Sequence, residues 1–178
     1  VALLSQAGYR VVAATGKANE HAYLTALGAA EIMDRALLSA PGKPLQKERW
    51  AGVVDAVGSH TLANACASAR YGATVAACGL AQGMVFPATV APFILRGITL
   101  CGIDSVMAPK AVREAAWSRF ADTLDADWLQ SLTTVVPLSG AIETASQILR
   151  GEVRGFCIAP LLIAPLISSE VWNLVVPV

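Results

Sequence analysis

The sequence predicts an α/β fold in which a doubly wound parallel sheet is covered by helices. Short apolar segments alternate with longer helical ones along the chain, and 55% of the 178 residues are hydrophobic while only 15% are charged. Such alternation is typical of βαβ units, and a sheet that is buried on both faces needs this apolar content. The length is enough for a domain with its own hydrophobic core.

Glycine and proline mark the ends of the predicted elements. Residues 1–8 resemble the second half of a helix closed by a glycine C-cap. We predict strands at the short apolar segments 9–14, 31–34, 50–57, 73–78, 98–102 and 135–136. We predict helices at the longer periodic segments 19–27, 59–70, 109–124 and 139–151, the third opened by Pro109 and the last capped by Ser139. Residues 36–49 form a polar connector, and residues 81–96 a proline-marked loop with a short helix.

Charge and cysteine usage exclude several function classes. Thirteen basic and thirteen acidic residues give no net charge, so the chain has neither a basic field for nucleic acid nor a patch for anionic lipid. The four cysteines form no Cys-x-x-Cys pair and the chain has only two histidines, so we expect no metal site. Scattered cysteines without a signal peptide indicate a cytoplasmic protein.

The C-terminal run 156–178 is the one segment that could be mistaken for a membrane helix. Three prolines, Pro160, Pro165 and Pro177, interrupt it, and its uncharged stretch ends at Glu170. A spanning helix needs about 20 consecutive apolar residues and tolerates proline poorly. We therefore expect a domain over 1–155 followed by an apolar tail of unclear origin that does not cross a membrane.

Glycines follow three of the predicted strands at their carboxyl ends. Gly16, Gly58 and Gly79 lie directly after a strand or within two residues of it. Ligands of open α/β sheets bind at this edge, where glycine lets a cofactor approach the backbone closely. The alternative is that α/β turns simply need glycine.

The first predicted strand ends in Thr15-Gly16-Lys17. In a dinucleotide-binding fold this position meets the adenine ribose: an acid there selects NAD, whereas a cation accommodates the 2′-phosphate of NADP. The residues therefore favour NADPH. The alternative is an ordinary β-to-α turn with a solvated lysine.

Several segments together match one family. The chain resembles the zinc-independent quinone-oxidoreductase branch of the medium-chain dehydrogenase/reductases, and within it the NADPH-dependent acryloyl-CoA reductases. The resemblance runs from Val1 to about Gly155 and implies a Rossmann-like domain. It is carried by 12–17, 23–29, 50–58, 75–81, 92–96 and 102–107, of which Cys-Gly-Leu-Ala at 78–81 and Gly-Ile-Asp-Ser-Val-Met at 102–107 are the most specific.

The resemblance implies hydride transfer from NADPH to a small unsaturated acyl-CoA or quinone substrate, usually in a homodimer. Thr15, Gly16 and Lys17 would hold the 2′-phosphate, with Arg35 as a second cation. Backbone and apolar contacts to the nicotinamide half would come from Leu80, Ile94 and Ser105. The alternatives are that Lys17 and Arg35 are surface residues and that Leu80 and Ile94 belong to the core.

Two residues that suggest catalysis have simpler explanations. An acid beside a turn, as at Asp104, is more often a structural cap. Cys78 has no histidine within a motif that could activate it as a nucleophile. The catalytic residues are therefore unknown from the sequence.

Three departures from the family pattern shape the functional prediction. The GroES-like substrate domain, the first strand of the dinucleotide fold and its glycine-rich turn have no counterpart in the sequence. We expect the loss of that central strand to separate strand 9–14 from strand 50–57. Phe156 stands where the family has a cation, and the tail after it fits no family position.

These departures give two readings of the chain's role. It is the NADPH-binding portion of an oxidoreductase and is inactive by itself, or it is a non-catalytic nucleotide-binding or dimerisation module that pairs through strand 98–102.

Overall fold

Strands and helices alternate through the computed structural model, which describes residues 1–123 and 130–159. The strands are β1 Val11–Thr15, β2 Ala29–Asp34, β3 Trp50–Asp55, β4 Ala69–Ala77, β5 Thr99–Gly102, β6 Thr133–Val135 and β7 Phe156–Ile158. The helices are α1 Ala2–Gln6, α2 His21–Ala26, α3 Ala36–Ser39, α4 Ser59–Ala67, α5 Ala91–Arg96, α6 Lys110–Thr123 and α7 Ala141–Leu149. Short 3-10 turns at Ala18–Glu20 and Leu138–Gly140 precede α2 and α7.

All strand pairs in the described residues are parallel, which confirms the predicted fold class. β1 pairs with β2, β3 with β4, β4 with β5, and β6 with β7. Parallel neighbours need a crossover connection, and the helices between the strands supply it. The chain divides into two compact units, Val1–Trp117 and Ser118–Val178, and the first five strands lie in the first unit.

The first unit contains two separate sheets. β1–β2 form one and β3–β4–β5 the other, so in the described part of the chain β1 pairs only with β2 and β3 only with β4. The predicted separation of the first strand from strand 50–57 is thereby confirmed. Arg49 connects the sheets through side chains: its guanidinium lies 3.5 Å from the Glu31 carboxylate and 4.4 Å from the centre of the Trp50 ring.

The core of the first unit lies between the β3–β4–β5 sheet and helices α4 and α5. Ala73 and Val75 of β4 are buried on either side of the exposed Thr74, as a strand with one buried face requires, and Ala69 at the start of β4 is also buried. They pack against Leu62 and Cys66 of α4. The core is formed largely by small residues, so the helices can approach the sheet closely.

Several predicted boundaries differ from the structure; β4, for example, starts at Ala69 rather than at residue 73. Two of the differences have a clear local cause. The helix predicted over 59–70 ends at Ala67, because β4 begins at Ala69 and the Ser68 carbonyl accepts the Arg49 N–H at 2.8 Å, which takes it out of the helical hydrogen-bond pattern. The connector predicted over 36–49 begins with α3, because the Asp34 carboxylate accepts the Ala36 N–H at 2.8 Å and starts a helical turn.

The C-terminal region is described in part. β7 starts at Phe156, where we expect the tail to begin, and pairs with β6. The rest of the predicted tail, 160–178, and the predicted helix end at residue 124 lie outside the described residues. The boundary at 155 therefore stays a prediction. Within the described residues no helix is both long and apolar enough to span a membrane.

Arg96, at the end of α5, joins three segments that are distant in sequence. Its guanidinium donates to the carbonyls of Ala67 at 2.8 Å, Ala69 at 3.0 Å and Gln46 at 2.5 Å. Glu48 lies 3.4 Å from its Nε, and the arginine side chain is only 14% exposed. One cation thus fixes the junction between α4 and β4 against the segment that enters β3.

We predict that Arg96→Met lowers the free energy of unfolding by about 2 kcal/mol, because buried carbonyls lose their charged donor. Urea unfolding of the purified protein measures the change. Arg113→Met, on the exposed surface of α6, is the matched control and should stay within about 0.5 kcal/mol of the wild type. Equal effects of the two substitutions would contradict the assigned role of Arg96.

Candidate functional site

The loops at the carboxyl ends of the parallel strands form the candidate site. In the first unit these loops begin at Gly16 after β1, Arg35 after β2, Ala56 after β3 and Cys78 after β4. Open α/β sheets bind ligands at this edge. Two groups of residues occupy it.

The first group brings Thr15, Gly16, Lys17 and Arg35 together, as the sequence predicts for a single binding site. The Thr15 hydroxyl accepts the Lys17 N–H at 3.1 Å, and the Thr15 carbonyl accepts the Arg35 N–H at 3.0 Å. The guanidinium of Arg35 lies over Gly16, where an added Cβ would be 3.5 Å from Nη2. Parallel pairing of Thr15 with Asp34 produces this arrangement, because it aligns the ends of β1 and β2.

Both cations of this group are available to an anion. Among the described residues, neither Lys17 nor Arg35 forms an ion pair within 4.0 Å. The nearby acid in sequence, Asp34, uses one carboxylate oxygen to accept the Ala36 N–H. The group therefore presents two positive side chains beside a glycine, with no carboxylate at the end of β1.

The second group consists of the loops after β3 and β4, which are held against each other. Cys78 N–H donates to the Asp55 carbonyl and Gln82 N–H to the Val57 carbonyl, both at 2.8 Å. The carboxylate of Asp55 is buried and accepts the N–H groups of Gly58 at 2.8 Å and Val57 at 3.3 Å. Asp55 is not among the residues predicted from the sequence, although an acid between an apolar strand and a glycine turn is a signal for this kind of turn.

Two glycines allow these loops to lie so close. Gly58 has φ +75°, and a Cβ there would lie 2.8 Å from the Gly83 carbonyl oxygen. At Gly79 a Cβ would lie 2.5 Å from the Ala56 carbonyl oxygen. The structural need for glycine, which the sequence left as an alternative, therefore holds at both positions.

The predicted nicotinamide-side residues lie on other elements than the cationic group. Leu80 is in the loop after β4, Ile94 is on α5 and Ser105 is in the turn after β5. No hydrogen bond of the described residues joins them to Thr15, Lys17 or Arg35. Leu80 is 58% and Ile94 73% exposed, so their alternative assignment to the core was wrong.

The two residues set aside as catalytic candidates have structural contacts. Asp104 accepts the N–H groups of Val106 at 2.9 Å and Met107 at 3.0 Å, which confirms it as a turn-capping residue. The Cys78 thiol donates to the Asp55 carbonyl at 3.3 Å.

Burial, with a contribution from the Asp55 charge, raises the pKa of the Cys66 thiol to about 11, so Cys66 stays neutral at physiological pH.

The sequence matches a family model described as zinc-binding dehydrogenase over residues 1–122. The chain belongs to this family. In the described residues, no group of three or more His, Cys, Asp and Glu side chains is placed to hold a metal ion.

Two named oxidoreductases are similar to the chain in sequence. The chain is 47% identical over 155 residues to the acrylyl-CoA reductase AcuI of Ruegeria pomeroyi, covering 86% of the chain and 47% of that protein. It is 40% identical over 166 residues to the putative quinone oxidoreductase YhfP of Bacillus subtilis, covering 90% of the chain and 49% of that protein. The chain spans about half the length of these relatives.

Two solved structures with a bound dinucleotide are similar to the chain in fold. The yhdH oxidoreductase of Salmonella enterica in complex with NADP matches with a TM-score of 0.87 at 42% identity, over 90% of this chain and 49% of that one. The Bacillus subtilis yhfP protein with NAD bound matches with a TM-score of 0.84 at 40% identity, over 90% and 49% of the two chains. This zinc-binding dehydrogenase domain thus has the Rossmann-like α/β architecture that its sequence predicts.

We predict that Gly79→Ala lowers the free energy of unfolding by about 2 kcal/mol, because the new methyl group forces the two loops apart. Thermal or urea unfolding measures the loss. Gly102→Ala provides the control, since a Cβ at Gly102 meets nothing within 4 Å. Two variants of equal stability would show that the packing of the loops does not require glycine at position 79.

Proposed function

We propose that this chain is the NADPH-binding portion of an oxidoreductase that reduces an α,β-unsaturated acyl-CoA, such as acryloyl-CoA, or a quinone. The observation that carries the proposal is the group Thr15, Gly16, Lys17 and Arg35, which places two available cations at the edge where dinucleotides bind. The family membership and the relatives named above support the same reaction class.

The residues of this group fit a 2′-phosphate. A phosphate monoester carries close to two negative charges and accepts several hydrogen bonds, and an arginine fork with a lysine complements both properties. The Arg35 guanidinium lies beside Gly16, so a phosphate bound at the end of β1 would be within reach of it. An NAD-selective site would need a free carboxylate to accept the ribose hydroxyls. One carboxylate oxygen of Asp34, at the end of β2, already accepts the Ala36 N–H at the start of α3.

The protein's own contribution is to hold and orient the cofactor. Lys17 and Arg35 bind its phosphate end, while the loops fixed by Asp55 and Gly79 give the edge a rigid shape. Leu80, Ile94 and Ser105 supply exposed apolar and polar surface for the nicotinamide half. When bound, NADPH supplies the hydride, and this chemistry belongs to the cofactor rather than to a side chain.

Selectivity between NADPH and NADH is the property that tests the proposal. The relative with NAD bound shows that the fold accepts either dinucleotide, so fold alone does not decide the matter. Lys17 and Arg35 discriminate only through the 2′-phosphate. Removing either of them should therefore affect the two nucleotides differently.

We predict that Lys17→Ala and Arg35→Ala each weaken NADPH binding by about tenfold while leaving NADH binding within about twofold, because a charged hydrogen bond to phosphate is lost. Titration of the purified protein, followed by nucleotide fluorescence, gives both dissociation constants. Lys110→Ala, a lysine whose side chain is 88% exposed on α6, is the matched control. NADH binding as tight as NADPH binding in the wild type would overturn the assignment.

The substrate class is tested separately. Oxidation of NADPH by the purified protein is followed with acryloyl-CoA and with a quinone as acceptors. We expect the chain by itself to show no turnover with either acceptor, as the sequence predicts. Turnover with acryloyl-CoA at the higher kcat/KM would overturn that expectation and assign the chain as an acyl-CoA reductase, and turnover with quinone alone would assign it as a quinone reductase.

A further inference from the structure

The side chain of Gln82 joins the loop after β4 to two other elements. Its carbonyl oxygen accepts the Thr61 hydroxyl of α4 at 2.8 Å, and its amide nitrogen donates to the Ser39 hydroxyl at the end of α3 at 3.2 Å. Thr61 is buried, being only 5% exposed, so the α4 end of the bridge is fixed. A single amide in the loop after β4 thus contacts the helices that follow β2 and β3.

The bridge continues to the cationic group. The Ser39 hydroxyl donates to the Arg35 carbonyl at 3.1 Å, so hydrogen bonds run without interruption from Thr61 through Gln82 and Ser39 to Arg35. The same carbonyl accepts the Leu38 N–H at 2.9 Å, and the Arg35 N–H donates to Thr15. The backbone of Arg35 is therefore held from both sides, by β1 and by the loop after β4.

The loop that carries Gln82 is itself fixed to the edge of the sheet. The Gln82 N–H donates to the Val57 carbonyl, and the Gly83 N–H to the Leu80 carbonyl at 2.9 Å. Leu80 lies in the same loop and is one of the proposed nicotinamide-side residues. These backbone bonds hold the loop at Leu80 without the Gln82 side chain, so the loss of that side chain's hydrogen bonds acts on Arg35 rather than on the nicotinamide half.

We propose that Gln82 is a positioning residue for cofactor selection, which acts through Ser39 to hold Arg35 against the 2′-phosphate of NADPH. This inference rests on the proposed function, since it assigns Arg35 to that phosphate. Gln82 itself contacts no reacting atom. Its effect is on the backbone from which the Arg35 side chain extends, and a shift of that backbone moves the guanidinium relative to Gly16.

Substitution of Gln82 tests the proposal through nucleotide selectivity. Gln82→Met keeps the size of the side chain and removes both of its hydrogen bonds. Ser39→Ala removes the hydroxyl that connects Gln82 to the Arg35 carbonyl. We expect each to raise the Kd for NADPH by about threefold with little change for NADH, because the partly exposed hydrogen-bonded link between Gln82 and the Arg35 carbonyl is broken. The double variant should be no weaker than the more affected single variant, since both act on the same path.

The controls separate this role from a general structural one. Gln6→Met changes an exposed glutamine on α1 and should leave both dissociation constants unchanged. Unfolding curves establish that Gln82→Met and Ser39→Ala remain folded. Equal weakening of NADPH and NADH, or strictly additive effects of the two substitutions, would overturn the role of Gln82 while leaving the proposed function in place. A wild-type protein without preference for NADPH would overturn both.

Discussion

Parallel pairing of the strands constrains everything else in this structure. A parallel ladder requires each strand to be followed by a crossover, and the crossover brings every carboxyl end to a common edge of its sheet. Thr15 and Asp34 are paired for this reason, so the turns that begin with Gly16 and Arg35 become neighbours. Asp55 and Ala77 are paired in the same way, which lets the loops after β3 and β4 lie against each other.

The two groups at this edge differ in how they are built. The group of Thr15, Lys17 and Arg35 carries two positive charges that no other described side chain neutralises. This is expected where an anionic ligand neutralises them. The loops after β3 and β4 are instead satisfied internally, by the buried Asp55 carboxylate and by backbone hydrogen bonds. The first arrangement suits binding and the second suits rigidity, and Gln82 with Ser39 connects them.

Much of the fold could be predicted because several strands are short apolar segments with a glycine directly or shortly after them, as at Gly16, Gly58 and Gly79. Where punctuation was weak, prediction failed: α4 ended at Ala67 because the Ser68 carbonyl pairs with Arg49 and β4 follows, and α3 formed after a turn in which Asp34 accepts the Ala36 N–H. The cationic group was predictable because its residues lie at or next to a strand end. The bridge through Gln82 was not, since Ser39, Thr61 and Gln82 are far apart in sequence and none of them is chemically conspicuous.

The sequence by itself determined the alternation of strands and helices, the family and the residues of the cationic group, because these depend on local pattern and on motifs of a few residues. The tertiary structure decided which distant groups touch. It placed the Arg96 guanidinium on three carbonyls, Gly79 against Ala56 and Gln82 between Thr61 and Ser39. Such contacts depend on how helices and loops pack over the sheet, and packing is a property of the whole chain rather than of any one segment.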